Sequence, residues 1–122
     1  AMPSRDKNVT DAYDEYKKNP PKECPFCVLG TREVLGHYPG FVILRVLFPY
    51  VQWDEKQVFE HLMVVPTRHI ERLSELKYDE SKMLLEILSQ YEENGYSIYA
   101  RAPQDATRSV VHQHTHLLLL ER

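Results

Sequence analysis

The chain lacks the run of about 20 apolar residues that a membrane-spanning helix needs. Its best candidate, Phe41 to Tyr50, is interrupted by Arg45 and Pro49. It also lacks an apolar signal core near the N-terminus, so export is not suggested and a cytoplasmic location is the expectation. No block of Lys or Arg stands out, and the formal net charge is -3. Duplex nucleic acid as a bulk partner is therefore not expected, and neither is a membrane surface. Cysteine is scarce: Cys24 and Cys27 are the only two, separated by Pro25 and Phe26. That excludes a disulfide framework, and without an export signal the pair reads as metal-binding or redox-active. No internal repeat, low-complexity segment or linker divides the chain. Its 122 residues are enough for one domain with a real core.

What the chain does have is histidine. Six are present, and five fall in two short stretches. Near the C-terminus, His112, His114 and His116 alternate with Gln113 and Thr115, and the chain then turns apolar through Leu120. In a β-strand, residues at i, i+2 and i+4 share a face, so this spacing predicts a strand carrying three imidazoles in one row. Three titratable rings so close are poor packing material. They suit a metal site, or a nucleophile with neighbours that set its protonation. The second stretch, Glu60 to His69, carries His61 within a predicted strand and His69 just beyond Pro66. If the two strands pair, both histidines reach the same pocket.

The remaining pattern predicts an α+β fold with a mostly antiparallel five-stranded sheet, one main helix and a short N-terminal helix. Residues 1–9 read as a flexible N-terminus and residues 10–122 as a single domain. A short helix capped at Thr10 or Asp11 runs to Lys18 and ends at Asn19-Pro20-Pro21. Strands are expected over 33–38, 41–48, 58–65 and 96–100, with Pro39-Gly40 and Asp54-Glu55-Lys56 as turns. Asp79 is the expected N-cap of the main helix, 80–93. Met83, Leu84, Ile87, Leu88 and Tyr91 form its buried stripe, and Asn94-Gly95 its stop.

Cys-x-x-Cys with distant histidines is a familiar zinc set, because zinc takes four thiolate or imidazole ligands tetrahedrally. Cys24 and Cys27 supply two, His69 a third and one of the alternating histidines the fourth. A dithiol redox pair and two free cysteines are the other readings of Cys24 and Cys27.

These motifs resemble the histidine triad (HIT) proteins, nucleotide hydrolases and transferases marked by three alternating histidines followed by apolar residues. His112, His114, His116, Leu117 and Leu118 match that mark. Glu60-His61-Leu62-Met63-Val64-Val65-Pro66-Thr67-Arg68-His69 is similar to a second family element, and Cys24-Pro25-Phe26-Cys27 to the N-terminus of the family's zinc-binding branch. The resemblance covers roughly residues 22–120, with the three elements in the family's order.

Position by position, the resemblance implies that His114 attacks the α-phosphorus of a nucleotide and forms a nucleotidyl-histidine. His116 binds the phosphate and assists the leaving group, His61 supports the site, and Ser109 hydrogen-bonds near the leaving group. Cys24, Cys27, His69 and His112 match the ligands of a structural Zn2+. The implied partners are a small-molecule nucleotide and a second copy of the chain, with two sheets joined into one in a homodimer. The sequence departs from the family at Gln113 and Thr115, which stand at two normally apolar positions. Glu60 replaces a glycine beside the phosphate site. The Asn that commonly holds phosphate or ribose has no counterpart; Arg101 falls near its place, and Arg101 and Arg108 are the candidate phosphate-binding cations.

The resulting expectation is a phosphohydrolase or nucleotidyltransferase acting at the α-phosphate of a purine nucleotide conjugate, a phosphoramidate or a dinucleoside polyphosphate. One alternative is a nucleotide-binding or interaction protein with little turnover. Another is a zinc-dependent hydrolase that uses the alternating histidines as ligands of a catalytic metal.

Overall fold

The computed structural model describes residues 3–122. The first helix, α1 (Lys7–Lys18), starts three residues before the expected cap at Thr10, and Asp6 precedes it without a side-chain capping bond. None of its residues is buried. It is held instead by Tyr13 and Tyr16, whose rings both lie 5.1 Å from that of Phe48. Ahead of the helix, the Ser4 N–H donates to the Gln52 carbonyl at 2.9 Å and the Val51 N–H to the Ser4 carbonyl at 2.7 Å. The segment expected to be flexible through residue 9 is thus already helical at Lys7 and paired at Ser4.

Strands β1 (Val34–Tyr38) and β2 (Phe41–Arg45) form a hairpin turned at Gly40, whose φ of +81° suits glycine. The second strand stops at Arg45, short of the expected Phe48. Beyond it, backbone groups bond to side chains in place of a ladder: the Phe48 carbonyl accepts from Arg5 Nε, and the Tyr50 N–H donates to His61 Nδ1. A two-residue strand, β3 (Gln52–Trp53), then turns through Asp54 and Glu55, both left-handed, into β4 (Lys56–Pro66). Two left-handed central residues match the twist of a tight hairpin, and they make β4 longer than the expected 58–65.

The main helix, α2 (Tyr78–Glu93), follows a short 3-10 turn at Leu73–Glu75. Its N-cap is Lys77 and not Asp79, which lies in the first turn. Glu80 explains the shift: its carboxylate accepts the Lys77 N–H at 2.7 Å, closing the first turn from inside. After Gly95 come β5 (Tyr96–Tyr99) and β6 (Thr115–Leu120). The sheet is antiparallel throughout, in the order β1-β2-β4-β6-β5, with β3 paired to β4. It therefore has six strands; the sequence reading missed only β3, too short to show a period.

The strands divide their side chains between two faces. Phe41, Ile43, Leu62, Val64 and Leu117 meet Leu84 and Ile87 of α2 on one face. Val42, Leu44, Met63 and Val65 meet Phe26 of the cysteine turn on the other. No helix among the described residues is long and apolar enough to cross a membrane.

Candidate functional site

The histidine row does not form as a strand. Strand β6 begins at Thr115, so only His116 belongs to it, and His112 and His114 lie in the approach. The reason is that the preceding backbone is pinned elsewhere: the Gln113 N–H donates to the Ile70 carbonyl at 2.7 Å. The alternation survives all the same. His112, His114 and His116 turn toward the face covered by the cysteine turn.

At one end of the row, a tight turn brings the two cysteines together, with the Cys27 and Val28 N–H groups both donating to the Cys24 carbonyl. His112 Nδ1 lies 3.5 Å from Cys24 Sγ, 3.6 Å from Cys27 Sγ and 3.1 Å from His69 Nδ1, and His69 Nδ1 lies 3.2 Å from Cys27 Sγ. Metal–sulfur and metal–nitrogen bonds of about 2.3 and 2.0–2.1 Å, arranged tetrahedrally, give edges of roughly 3.3–3.8 Å. These four of the six edges match to within a few tenths of an ångström. His112 is fully buried, and its Nε2–H donates to the Pro66 carbonyl at 2.8 Å. That bond leaves the Nδ1 lone pair facing the other three donors. These four residues can hold a metal ion, with all four donor atoms within 4.8 Å of one another.

The next two histidines are also fixed in tautomer. His114 Nδ1 lies 2.9 Å from the His112 carbonyl, which can only accept, so Nδ1 carries the proton and Nε2 the lone pair. The Tyr50 N–H, which can only donate, meets His61 Nδ1 at 3.2 Å. His61 therefore carries its proton on Nε2 and gives it to His116 Nδ1 at 2.9 Å. His116 in turn keeps a proton on its own Nε2. The rings of His114 and His116 are 5.1 Å apart, edge to face, and Phe26 stands 5.1 Å from His114.

All of these rings are held neutral. Burial, then the Arg5 charge, push His61 down to about 3. Burial, then His61, His114 and the charges of Arg101 and Arg5, push His116 down to about 2. Burial also lowers His114, opposed by its bond to the His112 carbonyl and reinforced by Arg108.

Arg101 reaches this end of the row. Its Nη2 donates to the Tyr50 hydroxyl at 3.0 Å and its Nη1 to Thr107 Oγ1 at 2.7 Å, with Asp105 at 3.6 Å. Arg108 sits at the metal end and donates to the Glu71 and Val111 carbonyls, both at 2.7 Å. Ser109 is exposed on the preceding loop and is not brought against the histidines. Gln113 and Thr115 face away and are buried; Gln113 Nε2 donates to Thr115 Oγ1 at 3.1 Å, while Gln113 Oε1 has no partner among the described residues. The Glu60 charge does not reach the histidine face either. Its carboxylate accepts from the Tyr96 hydroxyl at 2.6 Å, on the side opposite to His61. Burial, then Glu60, push Tyr96 up to about 12.

A hollow of about 180 Å³ lined by Arg45, Pro49, Tyr50, Phe59 and Glu60 opens beside His61. A shallower one of about 460 Å³ lies on the outer side of α2, around Leu85, away from every histidine described here.

Sequence reading missed Tyr50 and Arg5. Tyr50 stacks on His61, with centroids 5.3 Å apart and planes at 15°. Arg5 lies over Tyr50. Only the Pro49 that breaks the strand before Tyr50 hinted at a special segment, and nothing near Arg5 did.

No family profile matches the chain. It is 29% identical over 87 residues, 65% of its length, to an uncharacterized HIT-like protein of Chlamydia muridarum; the match spans 64% of that relative, just under two thirds of it. A HIT family hydrolase from Clostridium thermocellum superposes with a TM-score of 0.61 at 19% identity, over 80% of this chain and 90% of that one. A HIT family hydrolase from Legionella pneumophila gives 0.57 at 22% identity, over 79% and 91%. The chain is thus similar in fold to HIT family proteins and in sequence to an uncharacterized HIT-like relative.

Proposed function

We propose that the chain is a nucleotide phosphohydrolase or nucleotidyltransferase, acting at the α-phosphate of a purine nucleotide conjugate such as a phosphoramidate or dinucleoside polyphosphate. The observation that carries this reading is the bond from His114 Nδ1 to the His112 carbonyl, which presents an unprotonated Nε2 beside a second, proton-bearing imidazole. In the first step His114 Nε2 attacks the α-phosphorus and a P–N bond forms. The bond to the leaving group breaks, His116 Nε2–H hydrogen-bonds to the departing atom, and any proton that group needs comes from solvent. In the second step water displaces His114, gives up a proton to solvent and releases the nucleoside monophosphate. A nucleophile must be neutral to attack, and burial keeps His114 so at neutral pH. His61 holds His116 in the donating tautomer. Arg101 is assigned to phosphate oxygens. Ser109 would join only if its loop closed on the substrate.

Cys24, Cys27, His69 and His112 are assigned to a structural Zn2+, since two thiols and two imidazoles at tetrahedral spacing suit that ion and leave no open position. The donor sets argue against a catalytic metal on the row: of the three alternating histidines, only His112 joins a group able to hold an ion among the described residues. A homodimer is the proposed assembly. The test is release of AMP from adenosine phosphoramidate. Wild type should release it and His114→Ala should not; equal rates would sink the proposal and favour a nucleotide-binding role with little turnover.

A further inference from the structure

The row ends in a cluster of rings and cations of which this chemistry uses only His61 and Arg101. Tyr50 stands at its centre. Its ring stacks on His61, and its hydroxyl accepts from Arg101. The Arg5 guanidinium lies 4.1 Å from the centroid of the same ring and 4.4 Å from that of Tyr13. Arg5 Nε–H is spent on the Phe48 carbonyl at 2.6 Å, while its two terminal amino groups make no hydrogen bond or ion pair among the described residues.

An arginine held between two rings has lost its freedom to swing and keeps its fork pointed one way. Here the ordered fork is half-buried. A second cation, Arg101, stands on the same tyrosine, and its carboxylate partner, Asp105 at 3.6 Å, also accepts from the Thr107 N–H and hydroxyl. Two cations gathered on one ring repel unless an anion joins them, and paired guanidinium groups match phosphate oxygens. Both arginines lie at the His116 end, within electrostatic reach of that ring. Arg108 and the cysteines mark the other end.

We infer that Arg5 is a substrate-binding residue: with Arg101 it forms a subsite for a second anionic group, the phosphate of the leaving group, beside an α-phosphate held at His114 and His116. This rests on the reaction proposed above, in which His116 serves the leaving group, and it narrows the substrate class. Conjugates that leave as a phosphate or polyphosphate are favoured over those that leave as a neutral amine.

The test compares kcat/KM for diadenosine triphosphate and adenosine phosphoramidate, which share the attacked adenylate and differ in leaving group. In Arg5→Gln the ratio of the two should fall at least 10-fold from wild type, and Arg5→Lys, which keeps the charge, should recover part of it. An unchanged ratio overturns the subsite, as does an equal loss on both substrates, which is what mere loosening of the N-terminal segment would produce. If neither substrate turns over, the proposed reaction has failed and calorimetric binding of inorganic pyrophosphate decides. Affinity at least 5-fold weaker in Arg5→Gln than in wild type and His114→Ala upholds the subsite. Equal affinity, or no binding by wild type, overturns it.

Discussion

Each residue of the histidine row does a different job because a different backbone group has claimed one of its nitrogens. The Pro66 carbonyl takes His112 Nε2, the His112 carbonyl takes His114 Nδ1, and the Tyr50 N–H takes His61 Nδ1 and so fixes His116. One imidazole is left with Nδ1 facing the cysteines, one with a free Nε2 lone pair and one with an Nε2–H to donate. His114→Ala removes the nucleophile and should cost on the order of 10³-fold or more in kcat, measured as AMP release, with the thermal midpoint little changed. This arrangement was partly legible. Alternation at i, i+2 and i+4 correctly predicts a shared face even though the strand covers only the last histidine. The tautomers were not legible, because each depends on a backbone group from a distant part of the chain. Tyr50 and Arg5 were invisible for the same reason: their importance comes from what folding lays over His61.

At the scale of elements, β4 and β6 hold neutral imidazoles against each other, and this makes their pairing sensitive to acid. His61 and His116 titrate in the folded state at about 3 and about 2, well below the 6.5 of an unconstrained ring. The unfolded chain therefore binds more protons below pH 6.5, and stability falls as pH falls from there toward the folded values. Each of the two rings should cost up to about 2 kcal/mol at pH 5 relative to pH 7. Thermal midpoints across this range test the point: wild type should drop steadily, and His61→Asn should drop less steeply. A flat profile in wild type would contradict the neutral pair. The cysteine turn is the other vulnerable element, since α1 and the turn contribute few buried groups to the core. Chelation, or Cys27→Ser, should lower the midpoint by about 10 °C or more, while activity persists wherever the fold does. Activity that vanished on chelation and returned with zinc, at unchanged fold, would point to a catalytic metal.

Across the whole molecule, the sheet places its chemistry on one face and its helix on the other. The antiparallel α+β arrangement was readable from strand and helix periods, and the metal set from the cysteine spacing. The sixth strand was not, being two residues long. Nor was the early start of α1, whose anchorage depends on Phe48 far along the chain. The outer strands β1 and β5 leave unpaired edges, which a second copy can extend. Sedimentation should show a dimer, and a charged residue in place of the exposed Ser97 in β5 should shift it toward monomer if that edge is used. The central claim, covalent transfer through His114, is tested most directly by stereochemistry. Two successive in-line displacements at phosphorus restore the original configuration, whereas one inverts it. Hydrolysis of a P-chiral adenosine phosphorothioate conjugate in isotopically labelled water should proceed with retention. Inversion would show direct attack by water and contradict the account.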